Sequence, residues 1–445
     1  MPRNPMAVLR NPAARKSATF FLLKISNTVL ATVWSFLLTY SLVRTVGLTD
    51  YAFFATVIAF ASLVLQADLG ISLRLFGRMR QNFLHPEQSS RQELSSAAVA
   101  ALWSYSAAAL VATGIFATLL WGAELGTPEY RHIYLLLFAG SVLPLPWMIL
   151  RVSVNAFDGY VLSEGIDFVR RLLLVALTGA LAFGLPLMVY AVSFVGLWLA
   201  GLLALLLVTR RIKLFQGGRV REGFRVLRED ARGIAASAAL SVSEFLIYIF
   251  PYYTIPLAHP EARALVVFDM FYKVTRFGTT AFLTVAETML PHQTRAYHAR
   301  DLPALRRWML IAFALGAVPF LAGSAIVYFA GDRFFGILLG DASIVTQTTR
   351  VAICGMLFMM LVQTVSGAVL AGIGWLGALA RRASTVLGLL LLFAAIYQFT
   401  GWSIEAFIIG YVAIYGLEAL AYFILMLSML SRLRRETRLA AAPAA

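Results

Sequence analysis

Six polar side chains recur along one apolar stretch in the second half of the chain. Their spacings of four, three, four, four and three residues place them on a single face of an α-helix. They are Asp269, Lys273, Arg276, Thr280, Thr284 and Glu287. Because a charge near the centre of a bilayer costs roughly 2.5 to 3.5 kcal/mol on insertion scales, such a face is expected to meet water, a ligand or a partner helix. The stripe therefore indicates a polar site inside a membrane.

Two further apolar stretches carry polar stripes at helical spacing. One runs through Ser237, Ser241, Glu244, Tyr248 and Tyr252, and the other through Lys24, Thr28, Thr32, Ser35 and Thr39. Three cations share these faces with hydroxyl groups, a combination that suits an anionic phosphate or pyrophosphate. The predicted substrate-binding residues are Lys24, Lys273, Arg276, Thr28, Ser35, Tyr248 and Tyr252.

The same charges also allow a purely structural interpretation, in which buried ion pairs fix the packing of helices. Glu244 and Arg276 both fall near mid-membrane and could pair, whereas Asp269 and Lys273 are i, i+4 neighbours that can neutralise each other. This alternative stays open at the level of sequence.

Acidic residues in apolar runs are the candidates for gating or ion coupling, namely Asp68, Glu244, Asp269 and Glu418. Asp68 closes an apolar run in "LQADLGISL" and fits either a turn cap or a gate. Glu418 is flanked at helical spacing by tyrosines in the last run, which fits a protonatable coupling site or a protonated packing residue.

Composition identifies the elements that must carry these residues. The chain has 445 residues, of which 60% are hydrophobic and only 13% charged, whereas a soluble globule has about a quarter of its residues charged. Apolar runs of about 18 residues can cross the bilayer as helices. Twelve are predicted, at 17–43, 50–73, 95–121, 132–154, 168–186, 188–209, 233–257, 264–290, 307–329, 345–371, 383–400 and 405–430.

The distribution of basic residues predicts the orientation. Lys and Arg accumulate in the even-numbered connections and in both terminal segments, so the N and C termini are predicted to be cytoplasmic.

The most basic connection divides the chain into an N-lobe at 1–209, a cytoplasmic linker at 210–232 and a C-lobe at 233–445. The fold class is an all-α membrane protein with two six-helix lobes. This placement explains the net charge of +15 by anionic lipid headgroups, without nucleic-acid binding.

No catalytic signature accompanies this pattern. The chain has no Walker loop, its five histidines lack metal-ligand spacing, and its single cysteine cannot form an internal disulfide. A G-x-G-x-x-G at 372–377 has no preceding strand, so the dinucleotide-binding interpretation fails. The protein is therefore predicted to be a non-enzyme without cofactor or metal.

Two segments resemble a known family. The stretch "VGLTDYAFFATVIAFASLVLQADLGISLRLFGR", with Gly47 and Tyr51 at its start and Asp68 near its end, resembles the N-terminal signature of oligosaccharide flippases. These form the polysaccharide-export branch of the multidrug/oligosaccharidyl-lipid/polysaccharide (MOP) exporter superfamily. The stretch "FDMFYKVTRFGTTAFLTVAETMLPHQTRAY" resembles the matching part of that family's second half. Ala52 departs from the pattern, where the family commonly has Gly.

The resemblance implies two lobes around a central cavity that opens alternately to either side of a bacterial cytoplasmic membrane. The implied substrate is an oligosaccharide on a polyprenyl pyrophosphate, and helices 1, 2, 7 and 8 line the cavity in that family. The polar stripes fall on predicted helices 1, 7 and 8. Expected partners are this lipid-linked substrate, membrane lipids, and glycan polymerases or glycosyltransferases of the same pathway.

Three alternatives remain beside the flippase. A cation-coupled multidrug exporter has the same fold but is expected to have an acid-rich cavity. A membrane glycan polymerase or ligase handles the same lipid, but known designs use a large outer loop that is missing from this sequence. A scaffold that does not transport is the third.

Overall fold

The computed structural model describes residues 12–441 apart from His85, Ser89, Leu214, Gln216 and Asp230. Over this part of the chain every regular element is a helix, in agreement with the predicted all-α class. The chain divides into two compact units, Met1–Ala238 and Ala239–Ala445. The predicted orientation depends on the termini, whose ends lie outside the described residues.

Unit 1 contains eight helices, and a ninth continues across the division between the units. They are α1 Pro12–Val64, α2 Ile71–Leu84, α3 Arg91–Gly122, α4 Arg131–Val142, α5 Pro144–Ala156, α6 Tyr160–Ala182, α7 Leu187–Arg211, α8 Val220–Glu229 and α9 Ala231–Ile249. The helix α8 lies in the segment predicted as a linker.

Unit 2 contains the end of α9 and seven further helices. They are α10 Pro251–Ala258, α11 Ala262–His298, α12 Leu302–Phe329, α13 Gly331–Leu339, α14 Gln347–Gly372, α15 Leu376–Thr400 and α16 Ile404–Ala441. Prolines divide two of the predicted runs, because proline lacks an N–H group and its ring clashes with the preceding turn. Pro144 begins α5 and Pro251 begins α10.

Nine helical segments among the described residues are long and apolar enough to cross a membrane. The protein is therefore a multi-pass membrane protein. Predicted runs 1 and 2 form one of the nine, Leu22–Asp68. The helices α6 and α11, which correspond to runs 5 and 8, are not among the nine. The count of twelve membrane helices stays a prediction.

The break between runs 1 and 2 falls at Gly47, inside α1. Gly47 has φ 81° and ψ 175°, a left-handed conformation that glycine adopts without steric cost. The arms on either side are joined by a hydrogen bond of 3.0 Å between the hydroxyls of Thr39 and Tyr51. Run 2 ends earlier than its predicted limit at residue 73, since α1 stops at Val64 and a turn leads into the separate helix α2.

Each unit has its own apolar core. One core cluster of unit 1 joins α2, α3, α5 and α8 through Leu75, Tyr105, Ile149 and Val226. Unit 2 has a corresponding cluster from α11, α12, α14, α15 and α16. The amphipathic α2 and α8 are therefore held against the membrane helices of unit 1 by buried side chains.

Candidate functional site

The clearest polar centre of unit 2 surrounds Asp269 on α11. Its side chain is 3% exposed, and its two oxygens have different partners. The Tyr252 hydroxyl donates to Oδ1 over 2.7 Å, and Lys273 Nζ lies 2.8 Å from Oδ2. The i, i+4 pairing of Asp269 and Lys273 is thus confirmed. Tyr252 reaches Asp269 from α10, the short helix that begins at Pro251.

Arg276 follows Lys273 by one turn of α11, and its side chain is exposed. It forms no salt bridge within 4.0 Å to any acidic group that the structure describes. Glu244, the partner considered in the sequence, is half-buried on α9 and accepts a hydrogen bond of 3.2 Å from the Tyr422 hydroxyl. Glu244 and Arg276 therefore form no direct salt bridge, but their charges still interact electrostatically.

Tyrosines from α16 form a second buried network in unit 2. Tyr248 on α9 and Tyr415 share a hydrogen bond of 2.6 Å between their hydroxyls. Tyr415 also donates to Gln363 Oε1 over 2.9 Å, which links three helices. Tyr248 and Tyr252 are buried and their hydroxyls are occupied, so they support neighbouring polar groups instead of presenting an open surface.

Glu418 is the most enclosed acid of unit 2. It is 0% exposed, and neither carboxyl oxygen has a hydrogen-bond partner within 3.5 Å in the part of the chain that the structure describes. Burying an ionised carboxyl without a partner is costly, so Glu418 is a polar group that the surrounding apolar side chains do not stabilise. It lies one turn before Tyr422 on α16.

The predicted substrate-binding residues of unit 1 lie along α1. Lys24, Thr28 and Ser35 are all half-buried. The Thr28 hydroxyl donates to the carbonyl of Lys24 over 3.1 Å, and Thr39 donates to the carbonyl of Ser35 over 3.1 Å. The threonine protons are thus directed into the helix, and the hydroxyl oxygens keep lone pairs that can accept from a ligand.

Asp68 caps the turn between α1 and α2. Its carboxylate accepts from the backbone N–H of Gly70 over 3.1 Å and of Ser72 over 3.0 Å. The Tyr105 hydroxyl donates to Oδ1 over 2.6 Å. Every one of these contacts lies within unit 1, and they match the capping interpretation of this residue.

Unit 1 also contains a buried ionic network that the sequence reasoning missed. Glu164 on α6 is 2% exposed and forms an ion pair with Arg151 on α5. Asn27 on α1 donates to Glu164 Oε2 over 2.8 Å and to the Glu164 carbonyl over 3.1 Å. A single carboxylate therefore connects three helices.

A second carboxylate on α6 is shared by two arginines. Asp167 is 2% exposed, and its oxygens lie 2.5 Å from Arg170 Nη2 and 2.8 Å from Arg171 Nε. The Arg170 guanidinium lies 3.6 Å from the ring centre of Trp198. The charge spacing of Glu164, Asp167 and Arg171 could have revealed this network, but run 5 was predicted to begin only at residue 168.

The predicted cations thus belong to both units, with Lys24 in unit 1 and Lys273 and Arg276 in unit 2. A metal centre has no support within the described ranges, where no cluster of three or more His, Cys, Asp or Glu side chains could hold an ion. The arrangement in unit 2 provides one exposed cation beside a neutralised Lys–Asp pair. Chemically, this site can bind an anion.

Comparison with solved structures identifies the fold. A multidrug resistance MATE family transporter of the MOP superfamily in an inward-facing conformation matches with a TM-score of 0.61 at 15% identity, covering 92% of this chain and 96% of that one. An outward-facing structure of such a transporter gives a TM-score of 0.57 at 14% identity, covering 98% and 100%. The chain has the MATE transporter fold.

A third match is a MOP superfamily transporter from Pyrococcus furiosus, whose description reports a binding pocket of reversed polarity that suggests a different function. Its TM-score is 0.62 at 14% identity, covering 98% of this chain and 99% of that one. No protein family model and no curated protein matches the sequence. At these identities the likeness establishes the fold alone.

Proposed function

We propose that this chain is a non-enzymatic flippase that moves a polyprenyl-pyrophosphate-linked oligosaccharide across the bacterial cytoplasmic membrane by alternating access. The observation that carries the proposal is the exposed guanidinium of Arg276, which lies on α11, the helix of predicted run 8, without a salt bridge to any described residue. A charge in this position is expected to serve a ligand.

The accessibility of the charges in unit 2 favours an anionic substrate. The acids Asp269 and Glu418 are buried, and Glu244 accepts from Tyr422. Arg276, by contrast, is open and can form two parallel hydrogen bonds to phosphate oxygens. Glu287, about three turns further along α11, is also exposed, so the anion site is assigned to Arg276 and Lys273 at one end of this face.

The predicted cations and their neighbours then have distinct roles. Arg276 and Lys273 bind the pyrophosphate, with Lys24 as the corresponding cation of unit 1. Asp269 neutralises Lys273 in the absence of substrate, so phosphate and carboxylate compete for the same ammonium group. Tyr252 positions Asp269, while Thr28 and Ser35 accept hydrogen bonds from sugar hydroxyls.

The fold supports the transport step. Structures of multidrug MATE transporters are known in inward-facing and outward-facing conformations. Rocking between two such states would carry the glycan across while its lipid tail stays in the bilayer. Glycosyltransferases that build the substrate and polymerases that use it are the partners this role requires.

The cellular test is the leaflet in which the lipid-linked glycan accumulates. Cells that lack the protein are expected to retain the glycan on the cytoplasmic leaflet, where an external glycosidase cannot reach it in intact spheroplasts. Restoring the wild-type gene should expose it, whereas the R276Q variant should not. Normal exposure of the glycan without the protein would contradict the proposal.

A cation-coupled multidrug exporter is the second candidate. It is favoured by the enclosed carboxyl of Glu418 and by the multidrug transporters among the structural matches. The two functions differ in their response to Arg276. Its neutralisation is expected to lower the transport of a pyrophosphate lipid but to leave unchanged or raise the transport of a cation.

A further inference from the structure

The basic helix α8 has a fixed place against the membrane-spanning helix α3. Gly223 and Val226 of α8 are buried in this contact. A Cβ atom on Gly223 would lie 2.1 Å from the carbonyl oxygen of Ser96, so only glycine permits the close approach. Ser96 is the sixth residue of α3, which places α8 beside the beginning of a membrane span.

Hydrogen bonds also fix the segment that leads into α8. Arg91 Nη2 donates to the carbonyl of Ile212 over 2.6 Å. The Ser96 hydroxyl oxygen accepts from the backbone N–H of Arg219 over 3.0 Å, and this hydroxyl donates to Glu222 over 3.4 Å. The helix therefore presents a defined face outward.

The outward face is basic and has an aromatic residue at its centre. Arg221, Phe224, Arg225 and Arg228 follow the i, i+3, i+4, i+7 spacing of one helical face, and all four are exposed. Phe224 retains 50% of its surface. The segment 210–229 contains seven basic and two acidic residues, a net charge of +5. The acidic contacts are weak, since Arg225 Nε lies 3.9 Å from Glu229 Oε1 and both side chains are exposed.

We propose that this outward face of α8 is a binding surface for the headgroups of anionic phospholipids. Basic clusters beside a membrane span attract such headgroups, and an exposed aromatic side chain on the same face can enter the boundary between headgroups and acyl chains. A nucleic acid would match the charge but would leave Phe224 without an apolar environment. The position of α8 at the end of a membrane span further favours lipid.

The test uses a reporter at the centre of the face. In a C354S background, which removes the single cysteine, F224C is labelled with a fluorophore whose emission moves to shorter wavelength in apolar surroundings. The purified full chain in neutral detergent is titrated with phosphatidylglycerol or with phosphatidylcholine. We expect a blue shift with phosphatidylglycerol only, and its loss in high salt, where exposed charges are screened.

Two triple variants test whether the basic residues of α8 cause the blue shift with phosphatidylglycerol. R221Q/R225Q/R228Q is expected to raise the half-maximal concentration of phosphatidylglycerol by about two orders of magnitude. R432Q/R434Q/R435Q, which removes the same charge from exposed positions on α16, should leave it within about twofold. Thermal unfolding of both triples verifies that they are folded.

Three results would overturn the proposal. These are an equal shift with both lipids, an equal loss in both triple variants, and an equal shift with soluble glycerol phosphate or a short oligonucleotide in place of lipid. The last would mean that the face binds anions or nucleic acid without requiring a lipid.

Discussion

The two units neutralise their buried acids in different ways. In unit 1, Glu164 and Asp167 are held by arginines, which keep their charge at any physiological pH. In unit 2, the partners of Asp269 and Glu244 are tyrosine hydroxyls and one lysine, while Glu418 has no hydrogen bond within 3.5 Å to any described residue. The arginine pairs of unit 1 are suited to fixing helices, whereas the weaker partners of unit 2 leave its charges able to change.

This difference agrees with the proposed placement of the substrate site in unit 2. A buried acid with a permanent cation has little freedom to exchange partners, because separating the pair strands both charges. An acid held by a phenol and a lysine can give up the lysine to a substrate phosphate. Unit 2 also contains the exposed Arg276, which offers a further positive charge to an anionic ligand.

The largest expected effect on stability comes from breaking the ion pair between Arg151 and Glu164 in unit 1. Arg151→Met leaves the carboxylate of Glu164 buried with only Asn27 as a partner, which should lower the free energy of unfolding by about 3 kcal/mol. Thermal unfolding in detergent measures the loss. The double variant R151M/E164Q removes the stranded charge and should recover part of the stability. If R151M unfolds like wild type, the network does not fix unit 1.

Neutralising Arg276 should affect transport without affecting stability. Arg276→Gln removes a charge-assisted contact to phosphate, which predicts a loss of transport of about tenfold to a hundredfold for a pyrophosphate lipid in proteoliposomes. Arg306→Gln, at an exposed position at the start of α12, is the matched control and should transport normally. Equal transport by all three proteins would show that Arg276 has no part in binding.

The same Glu→Gln change should have opposite effects in the two units. Glu418→Gln removes a carboxyl that lacks a hydrogen-bond partner and should raise the free energy of unfolding by about 1 kcal/mol. Glu164→Gln breaks the ion pair with Arg151 and should lower it by about 1 to 3 kcal/mol. Parallel thermal unfolding compares them. A loss of stability in both variants would contradict the distinction between the units.

The smallest effect concerns an ion pair outside the membrane spans. A hydrogen bond of 2.7 Å from Arg80, aided by Lys16 at 3.7 Å, holds the pKa of Asp158 below its ordinary value of 3.8. The stability from this lowered pKa is fully present above the ordinary value and is lost as the pH falls through the folded-state pKa.

Because the side chain of Asp158 is 41% exposed, R80Q should cost only about 0.5 kcal/mol at neutral pH. The free energy of unfolding of R80Q and of wild type is measured at neutral pH and at ~pH 3. The difference between the two proteins should be smaller in acid. Arg306 forms no ion pair with an acid among the described residues. The stability of R306Q should therefore differ from that of wild type by the same amount at both pH values. A constant difference at both pH values would mean that Arg80 acts through its contact with the Ala156 carbonyl alone.

Local features of the fold could be predicted from the sequence. The break at Gly47, the interruption at Pro251 and the pairing of Asp269 with Lys273 follow from backbone conformation or from spacing along one helix. These need no knowledge of the surrounding helices. The helix α8 was missed because a short, highly charged segment has no long apolar run.

Contacts between helices could not be predicted in the same way. The bonds from Asn27 and Arg151 to Glu164 join residues up to 137 positions apart, and no periodicity encodes such a contact. The pairing of Glu244 with Arg276 was considered on depth alone. Depth fixes the level of a residue in the membrane but not the direction of its side chain, and the hydrogen bond that Glu244 accepts comes from Tyr422.

The most direct measurement is equilibrium binding of a polyprenyl pyrophosphate to the purified protein, with a lipophilic cation as the competing ligand. The account predicts that the pyrophosphate lipid binds, that R276Q weakens it by at least about tenfold, and that the cation does not displace it. Binding of the cation in preference to the pyrophosphate lipid, unaffected by R276Q, would contradict an anion site in unit 2.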